Sequence, residues 1–282
     1  LGALALSLMA SIAVWAPSFE VGGGTGYLEV HFLDVGQGDA IFIETPDGVQ
    51  VLVDGGAGPA VLSELAEEMS FFDRTIDMVV GTHLDADHIG GLVDVLERYD
   101  IETILTTEAE SNSVVAQAYA RAIEAEDATH VIARRGQTFA LGASTTLRVL
   151  FPATDTRDME SNASSIVLQL IYGETKVLLT GDAPKRIEEY LVLVENDSLV
   201  SDVLKVGHHG SRTSTSALFL EAVNPAYAVI SAGKDNRYGH PHVEVIDALF
   251  NERVTIYSTA EEGRISLLSD GKKVFRDTFS PF

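Results

Sequence analysis

An α/β fold is predicted by three features of this sequence. Short β-rich runs alternate with longer amphipathic stretches along most of the chain. Turn residues, chiefly Gly, Asp and Pro, separate them. Polar loops rich in Asp and His fall where a strand run ends and a helical stretch begins, so side chains from several elements are delivered to loops of one kind.

With 282 residues and 46% hydrophobic content, the chain has enough apolar surface for one large domain or two small ones. The absence of cysteine excludes disulfides, thiolate metal sites and a cysteine nucleophile. Any metal must therefore rest on His and carboxylate ligands, which suit zinc, manganese or iron. The formal charge of -23, from 42 acidic and 19 basic residues, opposes a polyanionic partner unless a local basic patch or bound cations offset it. An acidic surface is also what high salt favours, where such repulsion is screened.

Residues 1–15 are almost wholly apolar, with no charge before Glu20. They are short for a membrane span of about 20 residues and lack a basic signal-peptide start. Residues 1–16 are expected to be the end of a transmembrane helix or an anchor, with a buried core helix as the alternative. Residues 17–26, rich in Gly, read as a flexible linker, and 27–282 as the folded catalytic domain.

Strands are expected at 28–33, 40–44 and 49–53, the last two joined by the turn Pro46-Asp47-Gly48. Asp34-Val35-Gly36-Gln37-Gly38-Asp39 is a polar loop between the first pair, and Asp54-Gly55-Gly56 closes the third strand. A helix from Pro59 to about Met69 leads to the apolar run ending at Gly81. Thr82-His83-Leu84-Asp85-Ala86-Asp87-His88-Ile89-Gly90-Gly91 follows, and it places four potential metal ligands within six residues. His83 and Asp85, two apart, leave the same side of an extended segment; Asp87 and His88 sit where the helix begins. Such a division suits two metal ions, and Gly90 and Gly91 let backbone pack closely beneath. The plainer reading is that Asp85 or Asp87 caps the helix.

Beyond the loop, strand, helix and strand are expected at 101–106, 113–124 and 129–133, with His130 structural or at the surface. The second half repeats the logic of the first. Strands at 145–151, 166–171 and 176–179 lead to Thr180-Gly181-Asp182, and a helix over 184–194 follows. A strand over 202–206 then ends in Gly207-His208-His209-Gly210-Ser211, a helix spans 214–222, and a strand over 226–231 precedes Asn236-Arg237-Tyr238-Gly239-His240-Pro241-His242. Five of the eight histidines, His83, His88, His208, His209 and His240, thus lie at strand ends.

This order of motifs resembles the metallo-β-lactamase fold, and more closely the C-terminal domain of ComEC competence proteins, the membrane channel for DNA uptake. The residues carrying the likeness are Asp34 to Asp39, the loop His83 to His88, Thr180-Gly181-Asp182, His208 to Ser211 and Tyr238 to Pro241. The resemblance implies a four-layer αββα sandwich with two divalent metal ions, zinc or manganese. It places His83 and Asp85 on one ion, Asp87 and His88 on the other and Asp182 between them, with His209 or His208 as the last ligand. Asp34, Asp39 and Asp54 would be structural near the site. Asp85 stands where the family has histidine, and Asn162 near the place of a missing third histidine. Both changes imply a weaker first site, shifted towards manganese or towards partial occupancy.

Such a centre implies water-mediated cleavage of a phosphodiester, with Asp87 or Asp182 accepting the proton. Asn162, Ser211, Asn236, Lys205 and His240 would grip phosphate or protonate the leaving group. The expected partners are DNA, single-stranded or one strand of a duplex, and a membrane channel portion of the same or a companion chain. No nucleotide cofactor is expected, and the implied location is the cell membrane, with the catalytic domain outside the cytoplasm. Two alternatives remain. One is another hydrolase of this fold acting on a lactone, a β-lactam or a phosphorylated cell-wall polymer; the other is a non-catalytic DNA-binding or channel-gating module.

Overall fold

The computed structural model describes residues 26–277 and the short strand Val14–Trp15. Apolar runs such as Val51 to Val53 and Met78 to Val80 are at most 1% exposed. Because successive strand side chains point to opposite faces, such strands must be covered on both sides, and this requirement produces a layered molecule.

Two eight-stranded sheets result. The first runs in the order Val274–Arg276, Ile265–Ser269, Leu28–Phe32, Ile41–Glu44, Gln50–Val53, Thr75–Gly81, Asp100–Thr106, Thr129–Ile132. The second runs Val14–Trp15, Thr138–Leu141, Thr145–Phe151, Val167–Tyr172, Thr175–Leu179, Val203–Lys205, Tyr227–Ile230, Thr255–Ser258. In each, an antiparallel meander passes into parallel strands, and helices cross over between most of the parallel pairs. The halves are therefore alike, as the sequence suggests.

Val30, Phe32, Val51 and Val80 of the first sheet meet Leu147, Leu168, Leu179 and Val203 of the second in a central core. Helices Ala60–Glu68, Ala86–Leu96 and Val114–Ala125 cover the outer face of the first sheet through residues such as Leu65, Ile89 and Tyr119. Lys185–Glu195, Ala217–Val223 and Val243–Asn251 cover the second through Leu191, Phe219 and Leu249. This is the expected four-layer αββα sandwich. Each fully buried Leu, Val or Phe contributes about 1.5–3 kcal/mol, so three such cores hold the fold without disulfides.

The expected membrane location is corrected. Among the described residues no helix is long and apolar enough to cross a membrane. The longest, Val114–Ala125, has 12 residues, about 18 Å at 1.5 Å per residue against a hydrocarbon core of about 30 Å. The buried apolar residues described pack inside the sandwich. Residues 1–13 and 16–25, which carry most of the proposed membrane segment and linker, lie outside the described residues. Val14–Trp15 is a strand, parallel to Thr138 and Phe139.

Asp77, in the strand Thr75–Gly81, accepts the Gln50 N–H at 2.6 Å. Partial burial, reinforced by Glu102 and Asp73, pushes its carboxyl up to about 6. A raised folded-state value stabilises below the unfolded value near 4, and that stability is lost as pH rises through 6. Asp77→Asn keeps an acceptor for Gln50 and removes the charge. In urea melts it is expected to gain about 1 kcal/mol at pH 7.5, after allowance for solvent screening, and nothing at pH 3.5. Equal stabilities at both pH values would refute this account.

Candidate metal centre

The strand Thr75–Gly81 delivers Thr82 to Asp85 as an extended segment before the helix Ala86–Leu96. Asp85 occupies the N-cap position but makes no capping hydrogen bond. Its carboxylate lies 3.8 Å from His83 Nε2 instead, so the capping reading fails and the same-side reading holds. Two glycines let the neighbouring loop slide under the helix: a Cβ on Gly91 would sit 2.0 Å from the Gly55 carbonyl oxygen, and one on Gly90 2.4 Å from that of Ala57. This close approach puts Asp54 beneath His88.

Asp182, 3% exposed, is the hub. Its Oδ1 lies 3.3 Å from His88 Nε2, and its Oδ2 lies 3.5 Å from His209 Nε2, 3.7 Å from His208 Nε2 and 4.0 Å from His83 Nε2. Asp87 Oδ2 is 3.4 Å from His209 Nε2. Five sequence-distant loops therefore converge, and Asp39, His88, Asp182 and His209 have ligand atoms within 4.8 Å of one another.

The far nitrogens are anchored. His88 Nδ1 donates to Asp54 Oδ2 at 2.8 Å, and His209 Nδ1 donates to the Ser231 carbonyl at 2.9 Å. The Thr82 hydroxyl donates to Asp54 at 2.7 Å, so it accepts from His83 Nδ1 at 3.0 Å. With Nδ1 fixed as donor, each ring turns Nε2 inward, as metal-ligating histidines do. Nε2 of His83, His88 and His209 and Oδ1 of Asp182 are buried without hydrogen-bond partners. Buried polar groups are rarely left so, and a cation satisfies all four. The donor set thus fits divalent metal.

Electrostatics agree. Burial works against charge on Asp182, yet facing His209, His88 and His83 hold its carboxyl well below the usual range. Burial likewise opposes an imidazolium at His209, but Asp182, Asp39 and Asp87 carry it up to about 10, and His88 also rises well above its ordinary value. His83 falls, through burial and then the charge on His88. A centre whose carboxylates force protons onto buried imidazoles calls for positive charge. Both His208 (φ 50°) and His209 (φ 54°) adopt left-handed backbone, a strain that non-glycine residues bear chiefly at functional sites.

The remaining expected residues divide. Asn162 Nδ2 lies 3.3 Å from His208 Nε2, at the centre's edge. The His240 ring lies edge-on to that of His208, with centroids 5.6 Å apart and planes at 75°. Three substrate roles are corrected. Lys205 is fully buried and paired with Asp39 at 2.7 Å, so it cannot reach substrate. Ser211, 4% exposed, is bound to the Thr213 hydroxyl. Asn236 is consumed in its own loop, donating to the Gly233 and His240 carbonyls and accepting from two backbone N–H groups. Asp34 is exposed and accepts the Gly36 N–H at the loop surface, whereas Asp39 and Asp54 are buried in the centre. Thr82 and Ser231 were not legible as parts of the site, because one acts through a hydroxyl beside the motif and the other through a main-chain carbonyl.

A model of the metallo-beta-lactamase superfamily matches residues 33–234. The ComE operon protein 3 of Bacillus subtilis (strain 168) is 31% identical over 259 residues, 84% of this chain and 32% of that protein. Competence protein ComA of Neisseria gonorrhoeae is 32% identical over 209 residues, 74% of this chain and 27% of that protein. Recombination protein 2 of Haemophilus influenzae is 30% identical over 263 residues, 90% of this chain and 31% of that protein. The chain spans about a third of the length of these curated relatives. In structure it is similar to the metallo-beta-lactamase fold protein YhfI from Bacillus subtilis, with TM-score 0.54 and 12% identity, over 82% of this chain and 96% of that one. It is also similar to Igni18, a metallo hydrolase from Ignicoccus hospitalis, with TM-score 0.53 and 14% identity, over 89% and 100%. At such identities the likeness is one of fold.

Proposed function

We infer the function from one premise: the chain belongs to the metallo-β-lactamase superfamily. It is a metal-dependent hydrolase of DNA phosphodiesters that acts in DNA uptake, in the manner of the C-terminal domain of ComEC competence proteins. The observation that carries the hydrolase reading is the set of unpartnered imidazole Nε2 atoms facing Asp182. A relative named as a competence protein supports the DNA-uptake part.

His83 and Asp85 would hold one divalent ion, zinc or manganese, and Asp87, His88 and His209 the other. Asp182 would lie between them, with His208 beside the first. Such ions lower the pKa of bound water and neutralise charge on the attacked phosphate, which an acidic chain would otherwise repel. Asp87 would take the water's proton. Although burial opposes its charge, the neighbouring His209 and His88 hold its carboxyl below the usual range. Burial and then the neighbouring imidazoles of His208, His209 and His242 push His240 down to about 4, so at pH 7 it is a neutral imidazole. Its Nδ1 is buried and unpartnered and would offer an N–H to a phosphate oxygen; Asn162 offers an amide beside His208.

The test is to strip the chain of metal, restore manganese or zinc, and follow cleavage of labelled single- and double-stranded DNA. Cutting is expected only with metal, and Asp87→Ala is expected to slow it at least about a hundredfold. The charge of -23 favours a second reading, a smaller non-nucleic phosphoester. Bound metal without DNA cleavage would favour it.

A further inference from the structure

We propose that the pocket between Asp87 and Tyr238 is a nucleobase subsite, which holds the base next to the scissile phosphate by stacking on the Tyr238 ring. This rests on the DNA reading above and deepens it.

The pocket opens directly beside the metal centre. It has a volume of about 430 Å³ and is lined by Gln37, Ala57, Ala86, Asp87, Arg237 and Tyr238 among others. Ala57 and Ala86 are too small to fill the space beside the ring, which leaves a slot with one aromatic wall. Tyr238 is 49% exposed, so part of its ring is open to a ligand. It stacks on His240 with centroids 5.6 Å apart and planes at 23°. His240 in turn is 6.3 Å from the His209 ring, so the aromatic wall continues into the centre.

That wall is held in place before any ligand arrives. Asn236 Oδ1 accepts the Tyr238 N–H at 3.2 Å and the His240 N–H at 2.9 Å. Gln37 Oε1 accepts the Gly233 N–H at 3.1 Å and ties this loop to the loop ending at Asp39. Preorganisation of this kind lowers the cost of binding.

The chemistry selects an uncharged planar group. Asp87 and Asp235 line the pocket and repel phosphate, but they do not oppose a neutral ring. Gln37 Nε2 is buried without a partner, a donor matched to the carbonyl oxygens and ring nitrogens of a base. Arg237 lies over the Tyr238 ring at 5.0 Å and donates to its hydroxyl at 2.8 Å. As an exposed cation it can turn to the neighbouring phosphate. A flat base with a phosphate on its sugar meets all of these groups, and an exposed aromatic beside a cation is how single strands are gripped without regard to sequence.

The experiment is fluorescence anisotropy of the manganese-loaded chain with a labelled phosphorothioate oligothymidylate, which resists hydrolysis, and with the same strand carrying abasic positions. Tyr238→Ala is expected to weaken binding of the intact strand about tenfold, and Tyr238→Trp to retain it. Abasic positions are expected to cost the unaltered protein the same factor and the alanine variant nothing further. Equal weakening of intact and abasic strands by Tyr238→Ala, or no weakening, would overturn the subsite. If the unaltered protein fails to bind the strand, the DNA reading and the subsite fall together. If it binds the strand but does not cut the ordinary phosphodiester, hydrolysis alone falls, and the abasic comparison still decides the subsite.

Discussion

Asp182→Asn is expected to abolish metal-dependent hydrolysis, by about a thousandfold or more, and to leave the protein unable to retain its full metal content. Four imidazole Nε2 atoms lie within 4.0 Å of the Asp182 carboxylate, and its two oxygens face different members of the set. An amide retains one weak ligand oxygen and no charge, so a cation between the histidines loses both the coordination and the anion that offsets it. Stabilisation of transition-state charge by metal amounts to several kcal/mol, and each 1.4 kcal/mol is about tenfold in rate. The substitution changes no apolar contact, and the strand Thr175–Leu179 remains paired on both sides. The variant is therefore expected to melt cooperatively. Metal analysis of the dialysed protein, circular dichroism and turnover measured together decide the matter. A variant with two bound ions and activity within tenfold of the parent would remove Asp182 from the centre of the mechanism.

Lys205→Met is expected to destabilise the fold strongly. Lys205 and Asp39 are 0% and 1% exposed, and their ion pair measures 2.7 Å. The ammonium also donates to the Val206 carbonyl at 3.0 Å. Burial opposes the Asp39 charge, but Lys205 and then His209 hold its carboxyl below the usual range. Removing the lysine strands that carboxylate in the interior, which costs about 3–5 kcal/mol. In a domain of this size the melting temperature should fall by roughly 10 °C. Replacing both partners, Asp39→Asn with Lys205→Met, deletes the charges together and should recover most of the loss, because a buried pair is worth little against an uncharged substitute. A single variant that melts within about two degrees of the parent would show that water reaches the pair.

Much of this was legible in the chain itself. The alternation of β-rich and amphipathic runs depends on local chemistry, and the strands at 145–151 and 176–179 appear where residue patterns put them, as does the helix that starts beside Asp87. The ligand loop was legible because its donors are neighbours: His83 and Asp85 need only an extended backbone to face the same way. The repeated half also showed, since each half ends its strands in Asp or His.

What escaped the sequence depends on partners far apart along it. The C-terminal strand Ile265–Ser269 crosses back to pair with Leu28–Phe32, and no local pattern announces a partner more than 230 residues away. Lys205 reads as a phosphate contact until the fold encloses it with Asp39, and Asn236 likewise until its loop uses its amide. The apolar run at the N-terminus suggests a membrane, whereas the described helices are too short to cross one. By itself, then, the sequence determined the fold class, the ligand types and the absence of thiol chemistry, because these follow from composition and short-range spacing. Only the tertiary structure decided which side chains meet at Asp182, which are enclosed beneath it and which stand exposed at Tyr238. Burial and convergence are properties of packed elements, and packing brings together residues that the chain keeps apart.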